Sequence, residues 1–407
     1  MGSSSDNSRR VVSGMRATGR LHLGHYHGVL KNWIKLQHEC ECFFFVADWH
    51  ALTTHYDAPQ AIEDSVWDML IDWLAAGINP SSCKLFIQSR VPEHAELHLL
   101  LSMITPLGWL ERMPTYKDQQ AKLSEKELST YGFLGYPVLQ SADVLVYKGN
   151  YVPVGEDQVP HLEFSRDLAR RFNHLYGKDP DYLQKAQAAI AKLSKKNAML
   201  YREKLKKYQE TGDAEALETG QALINAQVNL PLGDQERLLG FLEGIGKIIF
   251  PEPQPLLTEI AKFPGLDGQK MSKSYHNTIE LREAPESVTQ KIKVMPTDPA
   301  RVRRTDPGEP EKCPVWGLHK VYSTPEVKDW VQQGCRSAGI GCLECKQALS
   351  RAVNAELAPI RAEAQKYLDN PRLVKEIIRE GIVAARDVAK ETMEEVRRVM
   401  GLPQRGW

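Results

Sequence analysis

No stretch of this chain approaches the ~18 consecutive apolar residues of a membrane-spanning helix, and no apolar core of the kind a secretory leader carries follows its start. These absences exclude a membrane-spanning helix and lead us to expect a soluble protein with no membrane partner. Residues 1–9, small and polar, are expected to be a disordered N-terminus. Net charge is also missing, because 52 Lys and Arg balance 52 Asp and Glu. That argues against a general nucleic-acid coat but leaves room for a local basic surface that takes a folded RNA. Gly-x-Gly-x-x-Gly is absent, so the dinucleotide fingerprint is excluded. No Ser–His or Cys–His arrangement of a covalent catalyst is found. Cysteine is sparse, with seven residues, and the lack of a secretory context points to a reducing, cytoplasmic setting.

What is present is a chain of 407 residues, 42% hydrophobic and 26% charged, long enough for two or three globular domains. Val11-Val12, Cys42 to Ala47 and Lys84 to Gln88 read as strands. The unbroken apolar run of Cys42 to Ala47 suits a strand buried on both faces. Ala61 to Ala76 reads as a helix between strands. Residues 10–177 therefore form an α/β, Rossmann-like parallel-sheet domain with ligands at the carboxyl ends of its strands. Residues 178–262 shift to Lys, Glu and Gln with Leu and Ile at helical spacing, and read as a helical insertion or connector. Within it the basic run Arg202 to Lys207 reads as a solvated helix face. Residues 263–295 hold a lysine-rich loop, and 296–407 form an all-helical C-terminal domain with apolar positions at 3–4 spacing, such as Val353, Leu357, Ile360 and Ala364.

Two stretches carry chemistry. Ser13 to His25 is a strand end, a Gly-rich turn and a helix start, which offers unpaired N–H groups and a positive dipole end to a phosphate. His22 and His25 share a helical face, and Gly24 between them lets a nucleotide approach backbone. Far downstream, Lys270-Met271-Ser272-Lys273-Ser274 follows Pro264 to Gly268 and makes a cationic loop able to clamp phosphates. Each alone has a bland reading, a helix start with two surface histidines or a solvated loop. In this order they resemble the HIGH and KMSKS motifs of class I aminoacyl-tRNA synthetases. Glu111 to Met113, Tyr136 to Asp143, Val152 to Gln158 and His161 to Glu163 narrow the resemblance to the bacterial-type tryptophanyl family. It covers about Val11 to Asn173, resumes at the lysine loop and runs more loosely through the C-terminal helices.

The resemblance implies an aminoacyl-tRNA ligase of protein biosynthesis. L-Trp and ATP give tryptophanyl-adenylate and pyrophosphate, and the tryptophanyl group then passes to the 3′ end of tRNA(Trp), with Mg²⁺ accompanying ATP and a homodimer as the assembly. His22, His25, Lys270, Lys273 and Ser274 would be catalytic. Arg16, Ala17, Thr18, Gly24, His25, Lys117, Gly155, Glu156, Asp157 and Lys270 to Ser274 would bind ATP. Asp143, Tyr136, Gln140, His50 and Gln158 would bind tryptophan. Asp143 lies in an otherwise apolar segment, and a buried carboxylate needs a partner. That partner is either a helix end or an arginine, or the one polar atom of a mostly apolar ligand. Tyr136 and His50 read equally as packed core. Two positions depart from the family, Arg16 where glutamine is usual and Gln140 where methionine is common. Glutamine there is shared with the tyrosyl relatives, which makes tyrosine the runner-up substrate. A non-catalytic RNA-binding paralogue and a small-molecule nucleotidylyltransferase are the other readings.

Cys313, Cys335, Cys342 and Cys345 leave gaps of 21, 6 and 2 residues. Four thiolates suit tetrahedral zinc or a [4Fe–4S] cluster. Some members of the resembled family carry a [4Fe–4S] cluster on similar spacing, which favours iron–sulfur over Zn²⁺. Cys40, Cys42 and Cys83 read as core.

Overall fold

Apolar runs become strands buried on both faces. Val11 and Val12 lie in β1 (Arg10–Arg16), the Cys42 to Ala47 run in β2 (Glu41–Ala47), and Leu85 to Ile87 in β3 (Cys83–Ile87). The computed structural model describes residues 9–57, 59–113, 130–177, 181–244, 247–257 and 263–403. Residues 1–8 of the expected N-terminal tail and Lys117 fall outside them.

β1 pairs parallel with β2, Val12 opposite Phe43, and β2 pairs parallel with β3, Phe44 opposite Leu85. β4 (Tyr151–Val154) and β5 (Gln254–Leu257) complete a five-stranded sheet of order β3-β2-β1-β4-β5. The expected Rossmann-like α/β class is the one observed. The strand order reverses beside β1, because the chain steps outward to β2 and β3 and then returns to the other edge of β1. Ligands of open α/β sheets bind in the crevice at such a switch point.

The chain forms two compact units. One holds the residues up to Arg90, Pro153–Glu156 and Leu256–Val383; the other holds Val91–Val152, Asp157–Pro255 and Ala384 onward. Residues 10–177, 178–262 and 296–407 are each divided between the two, whereas 263–295 fall wholly in the first. In the first unit the helix after the histidine turn is not regular. Leu23–His25 leads into a five-residue π segment, Tyr26–Leu30, before α-helix resumes at Lys31–Leu36. Such segments occur mostly as single-turn insertions and often at functional sites. Here His27 and Leu30 are its buried residues. Trp33 stacks on Phe44 with ring centroids 4.3 Å apart, and Trp73 from the Pro59–Ala76 helix meets Trp33 edge-on.

In the second unit the insertion is helical as expected. The helices Tyr182–Ala191, Lys195–Thr211, Ala214–Asn225 and Leu232–Glu243 close around Ile190, Tyr201, Ile224, Leu238 and Leu242. Tyr201, fully buried, donates its hydroxyl to the Leu238 carbonyl at 2.7 Å. The basic run is largely neutralised locally, with Lys207 on Asp213 and Lys204 on Glu203. The C-terminal region is helical, and Val353, Leu357, Ile360 and Ala364 are the buried stripe of Cys342–Asp369. Among the described residues no helix is long and apolar enough to cross a membrane.

Candidate active site

β1 ends at Arg16, and Gly19 turns the chain with φ +93°. The helix then starts on a cap made by two histidines. The Gly24 N–H donates to Nδ1 of His22 at 3.1 Å, and the His22 N–H donates to Nδ1 of His25 at 3.3 Å. Two orphan helix-start donors are thereby satisfied. Since both Nδ1 atoms accept, the network assigns the proton of each neutral ring to Nε2. The rings lie 3.8 Å apart at their centroids. Burial, with the nearby Lys273 charge, brings His22 down to about 4. His25 is held well below its usual value by burial, then by His22, Lys273 and Lys270. Both imidazoles are neutral at pH 7 and each offers an Nε2–H, a donor without a full charge. Gly24 is required because a Cβ there would stand 2.9 Å from Cε1 of His22 and push the ring off its cap.

The lysine loop is pinned at its base. Pro264 and Lys270 form an antiparallel bridge, and the Met271 N–H donates to the Phe263 carbonyl at 2.8 Å, with the Met271 side chain buried. Lys273 reaches across some 255 positions of sequence and donates Nζ to the Thr18 carbonyl at 2.8 Å. The two motifs therefore meet, at the carboxyl end of β1. Lys273 is lowered by burial, against the opposing pull of Glu280, Asp72 and Asp68. Lys270 and Ser274 are exposed and Ser272 is half-buried.

Three residues not singled out in the sequence hold this arrangement. Asn277, buried, accepts the Ser272 N–H on Oδ1 at 2.8 Å and donates Nδ2 to Asp267 at 2.7 Å and to the Lys270 carbonyl at 3.2 Å. Arg282 pairs with Asp72 at 2.5 Å, and Asp72 also accepts the Leu21 N–H at 2.9 Å. The segment after the loop runs beside the histidine turn, Leu281 N–H to Leu21 carbonyl and Leu23 N–H to Ile279 carbonyl, each 3.0 Å. The lone acid inside the apolar Met69 to Leu74 run was the available signal.

Of the other residues expected at the nucleotide, Arg16 donates Nη2 to Thr54 Oγ1 at 2.5 Å, which turns its charge toward Thr54. Ala17 is buried and Thr18 exposed beside it. Gly155 and Glu156 directly follow β4, the neighbour of β1. Asp157 falls in the short turn Glu156–Gln158, its side chain outside the description. His50 is buried in the Asp48–His55 helix that follows β2.

In the second unit Tyr136, Gln140 and Asp143 lie on one face of the Tyr131–Leu145 helix, at i, i+4 and i+7. The Tyr136 hydroxyl bonds Nε2 of His161 at 3.0 Å. Gln140 and Gln158 are half-buried. Asp143, 2% exposed, accepts from Nδ1 of His94 at 2.6 Å, a partner other than the two the sequence offered.

The four cysteines belong to the first unit. Cys342 and Cys345 occupy the first turn of the Cys342–Asp369 helix, Cys335 ends the Pro325–Arg336 helix, and Cys313 caps Pro314–Tyr322. Burial, with Cys313, Cys335 and Cys342 close by, pushes Cys345 up to about 12. The Arg301 guanidinium lies 3.7 Å from Cys335 Sγ, and His319 Nε2 lies 3.2 Å from Cys345 Sγ. Among the described residues no group of three or more His, Cys, Asp or Glu side chains converges as a single metal ion requires. All seven cysteines stand outside disulfides, and Cys42 and Cys83 are buried in strands as expected.

A histidine cap and a lysine loop that meet beside a Rossmann-like sheet are the arrangement expected of a class I synthetase. The chain belongs to the class I tRNA synthetases of the tryptophan and tyrosine family, whose model, tRNA synthetases class I (W and Y), matches residues 4–204 and 234–358. Within that family the likeness is to tryptophan enzymes. The tryptophan–tRNA ligase of Ralstonia nicotianae is 64% identical over 393 residues, covering 97% of this chain and 98% of the relative. That of Thermotoga maritima is 44% identical over 395 residues, covering 97% and 99%. Among solved structures, tryptophanyl-tRNA synthetase from Campylobacter jejuni, complexed with ADP and tryptophan, aligns with a TM-score of 0.73 at 27% identity, covering 97% of this chain and all of that one. The unmatched residues 205–233 fall within the helical insertion.

Proposed function

We infer that the protein is a tryptophan–tRNA ligase. The reading is carried by the contact between Lys273 and the Thr18 carbonyl beside the neutral His22–His25 pair. A carboxylate oxygen of tryptophan attacks the α-phosphorus of ATP, and the bond to the leaving pyrophosphate breaks. The 3′-terminal hydroxyl of tRNA(Trp) then attacks the activated carbonyl carbon, and AMP leaves. The nucleophile is already ionised, so the protein needs no base for the first step and works by positioning and by stabilising charge. Nε2–H of His22 and His25 donate to phosphate oxygens, Lys270, Lys273 and Ser274 close on the leaving pyrophosphate, and Thr18, Gly24, Gly155 and Glu156 line the nucleotide. Mg²⁺ supplies further positive charge on the phosphates when bound with ATP.

On the amino-acid side Asp143 accepts the indole N–H, which is a donor only. Tyr136, Gln140 and Gln158, of the same unit, surround the ring and the amino group. An amino acid without that N–H displaces water from the carboxylate and returns no donor, and is rejected strongly. ATP–pyrophosphate exchange run across all amino acids tests the function. Exchange with tryptophan alone is expected. Exchange with tyrosine alone would mean the tyrosyl activity, and none with either would leave a non-catalytic RNA-binding protein.

The protein works as a cytoplasmic homodimer, a setting supported by seven cysteines free of disulfides. Cys313, Cys335, Cys342 and Cys345 hold a [4Fe–4S] cluster. The reading is supported by an all-thiol donor set whose four members lie within electrostatic reach of one another and by Arg301 beside Cys335 to offset negative charge. Anaerobically purified protein is expected to be brown, with about four iron and four sulfide per chain. A colourless protein with one zinc per chain would mean a zinc site instead.

A further inference from the structure

The polar stripe of the Tyr131–Leu145 helix does not stop at Asp143. Tyr147 continues it one turn on, and His94, from the Glu93–Ser102 helix of the same unit, stands between the two. His94 and Tyr147 are both 0% exposed. His94 Nδ1 lies 2.6 Å from Asp143 Oδ1, and His94 Nε2 lies 2.7 Å from the Tyr147 hydroxyl. A nitrogen facing a carboxylate carries its hydrogen, so Nδ1 donates. In the neutral ring Nε2 then accepts, and the Tyr147 hydroxyl donates to it. Burial, and then the charges of Asp143 and Glu93, hold the Tyr147 pKa well above its usual value, so that hydroxyl keeps its proton.

We propose that His94 is a specificity-determining positioning residue, which fixes the Asp143 carboxylate as an acceptor for the indole N–H while Tyr147 fixes the His94 ring. The proposal rests on the reading of Asp143 given above. The terminal torsion of an aspartate is broad and two-fold, so an unsupported carboxylate would sample several planes. A donor on one oxygen selects one plane. A carboxylate has about four acceptor positions, so the bond from His94 is compatible with a second from substrate.

The test uses the whole protein in ATP–pyrophosphate exchange with two amino acids, tryptophan and its analogue with sulfur in place of the indole N–H. The readout is the ratio of their kcat/KM values, with KM for ATP measured alongside. Wild type is expected to prefer tryptophan. His94→Leu is expected to shrink that preference about tenfold or more, the scale of one hydrogen bond to a charged group, through KM for tryptophan and with KM for ATP unchanged. His94→Asn, whose amide N–H can stand where Nδ1–H does, is expected to recover most of the preference, and Tyr147→Phe to fall between. Should His94→Leu fold poorly, the Asn and Phe variants carry the same comparison. Equal losses for tryptophan and the analogue, or an Asn variant no better than Leu, would overturn the proposal. Asp143→Ala, which removes the acceptor, separates the two ideas. If it leaves the preference intact, the indole reading fails and the proposal with it. If it abolishes the preference while His94→Leu keeps it, the proposal alone fails.

Discussion

Lys273→Ala is expected to slow tryptophan-dependent pyrophosphate exchange about 10²–10³-fold, the usual cost of removing one donor aimed at developing charge. The loss should appear in kcat more than in KM for tryptophan. Lys273 is not an idle surface cation, because it is half-buried, neutral histidines lie beside it, and Nζ bonds the Thr18 carbonyl. A pyrophosphate oxygen would compete for that Nζ, so the bond to Thr18 marks where the ammonium waits. Lys273→Arg keeps the charge but not the compact, rotatable ammonium, and is expected to recover only part of the rate. The measurement is steady-state exchange at saturating ATP. A Lys273→Ala enzyme within a fewfold of wild type would remove the lysine from the chemistry.

Gly381→Ala is expected to destabilise the protein by about 3 kcal/mol or more, above the ordinary range for overpacking because the clash is with backbone. An alanine inside a helix normally gains about 1 kcal/mol over glycine, so the expected sign is reversed. The reason is local. β3 is an edge strand of the sheet, and an uncovered edge is a liability. The Pro371–Val399 helix lies against it so closely that a Cβ on Gly381 would stand 1.9 Å from the Leu85 carbonyl oxygen and 2.8 Å from its carbon. No side-chain rotation relieves that. Gly132→Ala, in a helix with nothing within 4 Å of the added carbon, is the control and is expected to be neutral or slightly stabilising. Urea midpoints of the two variants decide the matter, and an unchanged midpoint for Gly381→Ala would refute the close approach.

Gly381 also shows where the sequence stops being readable. A glycine in a long amphipathic helix has no local signature of the strand it touches, since Leu85 lies nearly 300 positions away. The apolar runs of β1 to β3, unbroken in β2 alone, were legible because burial demands them, and the C-terminal stripe was legible from its period. The irregular π segment at Tyr26–Leu30 was not, because periodicity cannot distinguish one extra residue in a turn. At the site, residue types and order pointed to His22, His25 and Lys273. The tautomers did not follow from the sequence, because they depend on which backbone N–H meets which ring nitrogen. Asp143 was legible as a carboxylate that needed a partner, with a helix end or an arginine as the structural options. One partner is a histidine 49 positions upstream, in Pro92-Glu93-His94, where nothing in the pattern singles it out. Asn277 was missed for the same reason: its three bonds are all to a loop whose shape only the fold defines.

That His22 and Lys273 act on one triphosphate is tested most directly by a double-mutant cycle in tryptophan-dependent pyrophosphate exchange. Rates of His22→Ala, Lys273→Ala and the double variant are compared with wild type. Groups that share a transition state are non-additive, so the double variant is expected to lose at least about tenfold less than the product of the single losses, a coupling of about 1.4 kcal/mol or more. Single losses that simply multiply would mean that the histidine turn and the lysine loop do not serve the same phosphates.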